Sequence, residues 1–388
     1  MPAKHEKCII NKKKITMKKI QYYISAFLLV AIAAMSLSSC GDDKLGPTIF
    51  PEVDESLDPT STTYKLDKFL KENYLDPFNL TFLYKMPDIS TNMNYNLVPA
   101  QYDKAIDMAV ACKYLWFDVY ESVASEEFLK TYGPRIILLV GSAQISPSYG
   151  ETVGLAEGGV KITLFKVNAM NPYNFWEMND SYFHTMHHEF AHVLHQTKTY
   201  PTEFREISVG HYVPSEWRDR GVEIASEGFV TGYAASEYSE DFAETVACYI
   251  TYTDARWNSL LETAACGWHK DKKGNYCRFF YYPNNDATED PVYVTQGDTQ
   301  VSTKTDPDGT VHRYYYNADN PRDPFIVYDV VDEDGIDGKK AIEQKVQIAR
   351  QWFHDAWGID LDALRQEVRD RQQTYNIVEL RKWVTDIQ

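Results

Sequence analysis

Three residues near the middle of the chain combine metal-ligand chemistry with a helical spacing. His188, Glu189 and His192 form the pattern HExxH within residues 187–196, which read HHEFAHVLHQ. On a helix, residues four apart lie one turn from each other, so both imidazoles can reach a single ion. A zinc ion with three protein ligands keeps one position for water, and a nearby carboxylate can take the proton of that water. The pattern therefore predicts one Zn²⁺ bound by His188 and His192, with Glu189 as the general base.

The residues beside this motif argue against a chance match. An accidental HExxH is expected in roughly a few per cent of chains of this length. Here the motif is surrounded by the apolar residues Phe190, Ala191, Val193 and Leu194. Such neighbours indicate a buried helix, in which an unpaired imidazole would be costly. We therefore expect that the motif binds a metal ion and is not a chance pattern on a polar surface helix.

The third metal ligand must come from elsewhere in the chain. A metzincin pattern is excluded, because position 195 is His where that pattern has Gly and position 198 is Lys where it has His. His195 lies close to the helix face of His188 and is expected to pack or hydrogen-bond beside the site rather than to bind the metal. The downstream candidates are His195, His211, Glu223, Glu227, Glu237, Glu240, Asp241 and Glu244.

The segment 232–245, which reads GYAASEYSEDFAET, resembles the Glu-zincins, or gluzincins. In those enzymes a second helix supplies a glutamate ligand, and an acid one turn later hydrogen-bonds a zinc-bound histidine. The resemblance implies that Glu240 is the ligand and Glu244 the partner of a histidine. Spacing alone leaves the opposite assignment open.

Tyr233 lies seven residues before Glu240. This separation resembles that of lethal-factor-like zincins, in which a tyrosine reaches into the cleft. The resemblance implies that Tyr233 stabilises the oxyanion of the reaction. The alternative is a packing role, since the chain contains 28 tyrosines.

The first 40 residues predict export and anchoring. Residues 18–40 combine lysines, an apolar run and a small-residue end, which is typical of a secretory signal. Residues 37–40, LSSC, resemble the lipobox of bacterial lipoproteins, so Cys40 is predicted to carry the lipid. We expect a signal region at residues 1–39, with either Met17 as the functional start or a long basic region before it. A membrane span fits less well, because the apolar run is short and interrupted.

The charge of the chain bears on its partners. Residues 1–39 contain seven lysines and one glutamate, so their removal takes the formal charge from −17 to −23. A protein with this charge repels nucleic acid and anionic lipid surfaces, so we expect no nucleic-acid partner and membrane contact through the lipid alone.

The cysteines of the mature chain show no CxxC spacing, which argues against a thiolate zinc site. An envelope compartment permits disulfides, and the pair we predict is Cys266 with Cys277. Cys112 and Cys248 lie in apolar helical segments and are predicted to be small buried residues.

The pattern of apolar residues predicts both helices and strands. Together with the resemblance to the zincins it implies an α+β fold of the zincin type, with a twisted mixed sheet, an active-site helix and a helical C-terminal part. Residues 40–63 read as a lipidated cysteine and a flexible tether, and residues 64–388 as one catalytic domain. We predict strands at residues 80–85, 134–140 and 160–167, and helices at residues 64–74, 100–120 and 339–372, the last with a break at 358–360. The strand at 160–167 alternates apolar and polar residues, so we expect it to be half-exposed. Its place before the HExxH helix resembles that of the strand which forms the upper rim of the cleft in zincin peptidases, and the resemblance implies that an extended substrate could pair with it.

Residues 270–337 are polar, aromatic and without helical periodicity, and are predicted to be an insertion. Residues 291–301 and 310–316 alternate like strands around the turn signal at 306–309, which predicts a β-hairpin. Its tyrosines could form a ligand platform or pack against the hairpin itself. The acidic segment 332–338 lacks the spacing of a calcium loop and is read as solvated.

Longer segments resemble the substrate import-associated zinc metallohydrolase lipoproteins. The resemblance covers most of the mature chain and is carried by the lipobox cysteine, LDKFLKENYLDPFN (66–79), PRIILLVGS (134–142), AEGGVKITLFKVN (156–168), HEFAHVLHQ, EDFAE and IDLDALRQEV (359–368). It implies a metal-dependent hydrolase tethered at the outer membrane, either periplasmic or surface-exposed, beside a nutrient importer. Its substrate would be a peptide or another amide-containing molecule such as a glycoconjugate.

Two functions from different classes fit these observations. The first is a zinc metallopeptidase in which Glu189 moves the proton and Tyr233 holds the oxyanion. The second is a catalytically inactive binding lipoprotein of an import system on a zincin scaffold. The role of Glu189 separates the two.

Overall fold

The computed structural model describes residues 57–86, 97–146, 150–152, 154–157, 161–316, 322–331 and 335–388. The predicted signal region, Cys40 and most of the predicted tether lie outside the described residues, as do residues 332–334 of the acidic segment. The fold is α+β, as predicted from the sequence. It has two larger sheets, and helices both precede and follow the HExxH motif in the sequence. Among the described residues no helix is both long enough and apolar enough to cross a membrane.

The N-terminal part of the described chain is helical where the apolar periodicity predicts it. It contains α1 (Tyr64–Leu70), α2 (Asp76–Phe78), α3 (Tyr102–Cys112), α4 (Asp118–Val123) and α5 (Glu126–Tyr132), with π-helical turns at Lys71–Leu75 and Lys113–Phe117. These turns bury the aromatic rings of Tyr74, Trp116 and Phe117 in the main core. That core continues into the C-terminal helices.

The first sheet lies before the motif in the chain. Its strands are β1 (Thr81–Leu83), β2 (Ile136–Leu139), β5 (Gly154–Glu157) and β6 (Lys161–Leu164), and a separate hairpin joins β3 (Gln144–Ser146) to β4 (Gly150–Thr152). The order is β1-β2-β6-β5, in which β1, β2 and β6 are parallel and β5 is antiparallel to β6. The sheet is therefore mixed, with β5 at one edge.

This topology corrects the predicted role of residues 160–167. β6 pairs with β2 on one side and with β5 on the other, so its backbone has no edge for a substrate. It is also buried rather than half-exposed: Thr163, which suggests a solvent face by residue type, is 3% exposed. The edge strands of this order are β1 and β5, and β5 contacts the motif helix.

The remaining helices form the centre and the C-terminal part. They are α6 (Phe175–Met178), α7 (His184–Thr197), α8 (Glu203–Glu206), α9 (Tyr238–Thr251), α10 (Asp254–Ala264), α11 (Gly338–Trp357), α12 (Leu361–Thr374) and α13 (Ile377–Thr385). A π-helical turn, Asn179–Phe183, leads into α7. The predicted break at 358–360 is confirmed: Gly358 ends α11 with φ +69°, and the Asp360 side chain accepts hydrogen bonds from the first amides of α12.

The predicted insertion contains an antiparallel sheet. Its strands are β7 (His269–Lys270), β8 (Tyr276–Tyr281), β9 (Val292–Thr295), β10 (Val301–Thr305), β11 (Val311–Tyr315) and β12 (Phe325–Asp329). The main order is β10-β11-β12-β8-β7, and β9 also pairs with β8. The predicted turn joins β10 to β11 through Gly309 at φ +87°. The first predicted strand, 291–301, was wrong in extent, because a turn containing Gly297 at φ +87° ends β9 before β10 begins.

The predicted disulfide is not formed, and Cys266 and Cys277 are both free thiols. Each sulfur contacts a carbonyl near it in sequence: the Cys266 thiol donates to Glu262 O, and the Cys277 thiol donates to Asn275 O. Cys277 lies inside strand β8, and Cys266 follows helix α10. Proximity in sequence therefore did not bring their side chains into bonding range. Cys112 and Cys248 are buried, as predicted.

Candidate metal centre

Helices α7 and α9 pack against each other and present donor side chains at matching intervals. On α7 these are His184, His188 and His192, spaced by four residues. On α9 they are Glu240 and Glu244, also spaced by four. Because a step of four residues is about one helical turn, each helix aligns its donors on one face.

Three of these side chains converge on one point. The Nε2 atoms of His188 and His192 lie 3.1 Å apart, and each lies 3.1 Å from Oε2 of Glu240. Two imidazole nitrogens and one carboxylate oxygen thus surround a space that a single ion could fill. The structure brings together the residues that the sequence nominated as metal ligands, with Glu240 at the ligand position.

The outer nitrogen of each imidazole is held by another side chain. Nδ1 of His188 lies 2.8 Å from Oε1 of Glu244, and Nδ1 of His192 lies 2.8 Å from Nε2 of His195. A carboxylate can only accept, so we assign the proton of His188 to Nδ1, which leaves the Nε2 lone pair facing the ligand point. His188 is thereby oriented by Glu244, the position that the sequence gave to the hydrogen-bonding acid.

His195 orients His192 in the way that Glu244 orients His188, by a hydrogen bond to the Nδ1 atom. Burial and the neighbouring His192 lower the pKa of His195 to about 4, so its ring is neutral and can accept. His192 then donates from Nδ1 to Nε2 of His195, and its own Nε2 lone pair faces Glu240. This contact agrees with the expectation that His195 hydrogen-bonds beside the site without binding the ion.

Glu244 has two further partners that the sequence did not nominate. Oε1 lies 2.9 Å from Nε2 of His184, and Oε2 accepts a hydrogen bond of 2.7 Å from the Thr231 hydroxyl. The sequence could have indicated His184, since it lies four residues before His188 on the same helix face. No sequence pattern indicates Thr231, because it reaches Glu244 only through the packing of the preceding loop on α9.

The electrostatics of this cluster favour a bound cation. Although burial opposes it, hydrogen bonds with the two histidines hold the pKa of Glu240 well below its usual range. Burial also opposes ionisation of Glu244, but contacts with His184 and His188 lower the pKa of its carboxyl well below the usual range. Burial also opposes protonation of His188, yet hydrogen bonds with Glu240 and Glu244 raise its pKa to about 10. The pocket therefore stabilises positive charge between its carboxylates.

The donor set fits zinc. Nitrogen and carboxylate ligands in a set of three, with neighbours that fix both imidazole tautomers, are the composition of catalytic zinc sites. Calcium and magnesium prefer oxygen-only sites, which two imidazoles do not provide. His188, His192 and Glu240 would hold the ion.

Two further residues stand beside this point. Glu189, between the two histidines on α7, is partly buried, and its charge contributes to raising the pKa of His188 and of Tyr233. The Tyr233 ring stacks on the His188 ring with centroids 5.7 Å apart, and the Trp217 ring also packs against Tyr233, with centroids 4.9 Å apart. Tyr233 is 38% exposed, and its side chain hydrogen-bonds with Glu240.

The other candidates for the third ligand have different partners. Glu223 and Glu227 both bind Arg220, and His211 faces Glu227 at 3.6 Å. Asp241 forms a buried pair with Lys345, and Glu237 is exposed at the N-terminus of α9. None of these side chains belongs to the cluster around His188 and His192.

Comparison with known proteins identifies the family of this chain. The model of the family described as "Putative zinc-binding metallo-peptidase" matches residues 59–362. A crystal structure of a protein of the same description from Bacteroides caccae ATCC 43185 is similar, with 30% identity and a TM-score of 0.56 over 81% of this chain and 93% of that one. No curated protein matches the chain. By the extent of the family match, this chain belongs to the zinc-binding metallo-peptidase family.

Proposed function

We propose that this protein hydrolyses peptide bonds, or other amide bonds, with one zinc ion held by His188, His192 and Glu240. The observation that carries the proposal is the convergence of two Nε2 atoms and one carboxylate oxygen at 3.1 Å from one another. Both imidazoles have their outer nitrogens engaged, so both Nε2 atoms are directed at the ligand point, where a metal ion would replace the proton that His188 otherwise holds.

When bound, zinc supplies a Lewis acid that polarises the scissile carbonyl and acidifies the attacking water. Glu189 lies next to the ligand His188 in the HExxH pattern, and we assign to it the transfer of the proton from that water to the leaving amine. The support for this role is that the two imidazoles and Glu240 are directed at the ligand point, so they would bind the ion.

Tyr233 is the hydrogen-bond donor for the developing oxyanion. Burial, then the Glu240 carboxylate, and then Glu189 raise the pKa of its phenol above the ordinary value. The hydroxyl therefore keeps its proton at neutral pH and can donate it in a hydrogen bond.

An extended substrate would bind along strand β5. Among the described residues β5 pairs with β6 alone, in the order β1-β2-β6-β5, and β5 contacts the helix that carries both histidines. A peptide that adds to this edge by backbone hydrogen bonds would lie across the ligand point. An amide with peptide-like geometry meets the same requirement.

Replacement of the base tests the proposal. The full chain should bind about one equivalent of zinc and cleave members of a mixed peptide library, detected by mass spectrometry. Glu189→Gln should keep the zinc and lose cleavage, because the amide cannot accept a proton. Glu206→Gln, an exposed acid on helix α8, is the matched control and should retain activity.

Two outcomes would redirect the proposal. Cleavage by Glu189→Gln at the wild-type rate would remove Glu189 as the base. Zinc binding without cleavage of any peptide, together with substrate capture that Glu189→Gln leaves unchanged, would support the binding lipoprotein of an import system.

We also propose that the protein is an outer-membrane lipoprotein anchored through Cys40, beside a nutrient importer. The support is the signal-like run at residues 18–40 and the resemblance of LSSC to a lipobox. A Cys40→Ala variant of the full chain should move from the membrane fraction to the soluble fraction. If it stays in the membrane, lipidation of Cys40 is not the anchor. Cross-linking in intact cells that joins wild type, and not Cys40→Ala, to an importer would support the association.

A further inference from the structure

The paired helices continue their donor pattern one turn beyond the candidate zinc site. Glu240 contacts His188 and His192, and Glu244, one turn later, contacts His184 and His188. Cys248 is the next residue in this series on α9, four after Glu244. The ligand atoms of His184, Glu244 and Cys248 all lie within 4.8 Å of one another.

His184 contacts Glu244 through its Nε2 atom. This nitrogen lies 2.9 Å from Oε1 of Glu244, and since a carboxylate can only accept, Nε2 donates the hydrogen bond. Nδ1 of His184 lies 3.4 Å from the hydroxyl of Thr251, which is a longer contact. A metal ion bound by His184 and Glu244 would replace the proton that the two side chains share.

The third donor suits a soft metal ion. Cys248 is fully buried, and its side chain hydrogen-bonds with that of Tyr252. A metal ion would bind the thiolate form, so binding would release the thiol proton. A thiol, an imidazole and a carboxylate together match the ligands of zinc and cobalt, and thiolate excludes calcium and magnesium. The His184 side chain is 17% exposed, so an ion can approach from its side.

We propose that His184, Glu244 and Cys248 form a second site for a soft divalent cation, adjacent to the first. The two sites are connected through Glu244, whose Oε1 accepts from His188 Nδ1 and also lies next to His184 Nε2. An ion in the second site draws this oxygen away from His188 and loosens the orientation of a first-site ligand. Excess zinc should therefore reduce catalysis, a consequence that rests on the proposed function, whereas binding at the second site does not.

Cobalt titration provides the test, because a thiolate ligand gives an intense sulfur-to-cobalt charge-transfer band that imidazole and carboxylate ligands do not give. The full chain, stripped of metal under reducing conditions, should take up two equivalents of Co²⁺, and the band should rise with the second equivalent. Cys248→Ala should lose the band and the second equivalent but keep the first.

The matched control is Cys112→Ala. Cys112 is equally buried, but its sulfur contacts Met186 Sδ at 3.8 Å, so this variant should keep both equivalents and the band. Absence of the band in wild type at excess Co²⁺, or its persistence in Cys248→Ala, overturns the second site. If a variant fails to fold, the presence or absence of the band in the wild-type titration still tests the second site. Loss of the first equivalent in wild type would instead count against the proposed function.

Discussion

Asp241 and Lys345 form an ion pair in which both side chains are completely buried. Lys345 Nζ lies 2.7 Å from Asp241 Oδ2, and it also donates to Gly228 O at 2.7 Å. Asp241 further accepts a hydrogen bond from the Tyr212 hydroxyl. Since Asp241 follows Glu240 directly on α9, the pair fixes the C-terminal helix α11 against the turn that carries the candidate ligand.

Replacing one partner of this pair should destabilise the fold. Lys345→Met leaves Asp241 buried without its cation, and such a change costs about 3–5 kcal/mol of the free energy of unfolding. Chemical denaturation of the metal-free full chain measures the loss. Lys382→Met is the control, because Lys382 pairs with Glu379 at the surface, where an ion pair contributes about 0–1 kcal/mol. Equal stability of the two variants would contradict the structural role of the buried pair.

The two glutamates of α9 should differ in their effect on metal content. Glu240→Ala removes the carboxylate at the ligand point and should lose the first equivalent of zinc. Glu244→Ala removes the acceptor of His188 Nδ1, so it should retain zinc but bind it about 10–100-fold more weakly. Elemental analysis after dialysis, with competition against a chelator, measures both. Loss of zinc from Glu244→Ala alone would exchange the two roles.

The sequence predicted those parts of the molecule that depend on local spacing. HExxH defines one helix face. The predicted α+β fold and the predicted zinc-binding metallopeptidase family are confirmed. The side chains that come from other segments were harder to predict, because their positions depend on packing between elements. Thr231 reaches Glu244 from a loop, and no pattern in the chain marks it.

Two predictions from the sequence were wrong because they were based on residue type or on closeness in the chain and not on the topology of the fold. Thr163 suggested an exposed face on β6, yet strands on both sides and buried faces make it an interior position. Cys266 and Cys277 are near each other in the chain, but a helix and a strand direct their thiols to different carbonyls. Neither error affects the motif helix, because that helix is defined by its own periodicity.

His195 should strengthen zinc binding without touching the ion. In His195→Phe the ring volume is kept, but the acceptor for His192 Nδ1–H is lost, so zinc affinity should fall about 10–100-fold. His195→Asn should restore part of the affinity, because its side-chain oxygen can accept. His354→Phe, at a histidine whose side chain is 72% exposed on α11, serves as the control and should leave affinity unchanged. Equal affinity of His195→Phe and wild type would assign His195 to packing alone.

Tyr233 should act on the transition state more than on substrate binding. Tyr233→Phe keeps the ring over His188 and removes only the hydroxyl, so we expect kcat to fall about 10²–10³-fold, as for the loss of one oxyanion donor, with KM nearly unchanged. Steady-state kinetics on a cleaved library peptide measures the split, and zinc content should stay at the wild-type level. Tyr328→Phe, an exposed tyrosine on β12, is the matched control and should leave both constants unchanged. A rise in KM at constant kcat would instead place the Tyr233 hydroxyl in ground-state binding, and no change in either constant would leave its ring as a packing element beside His188.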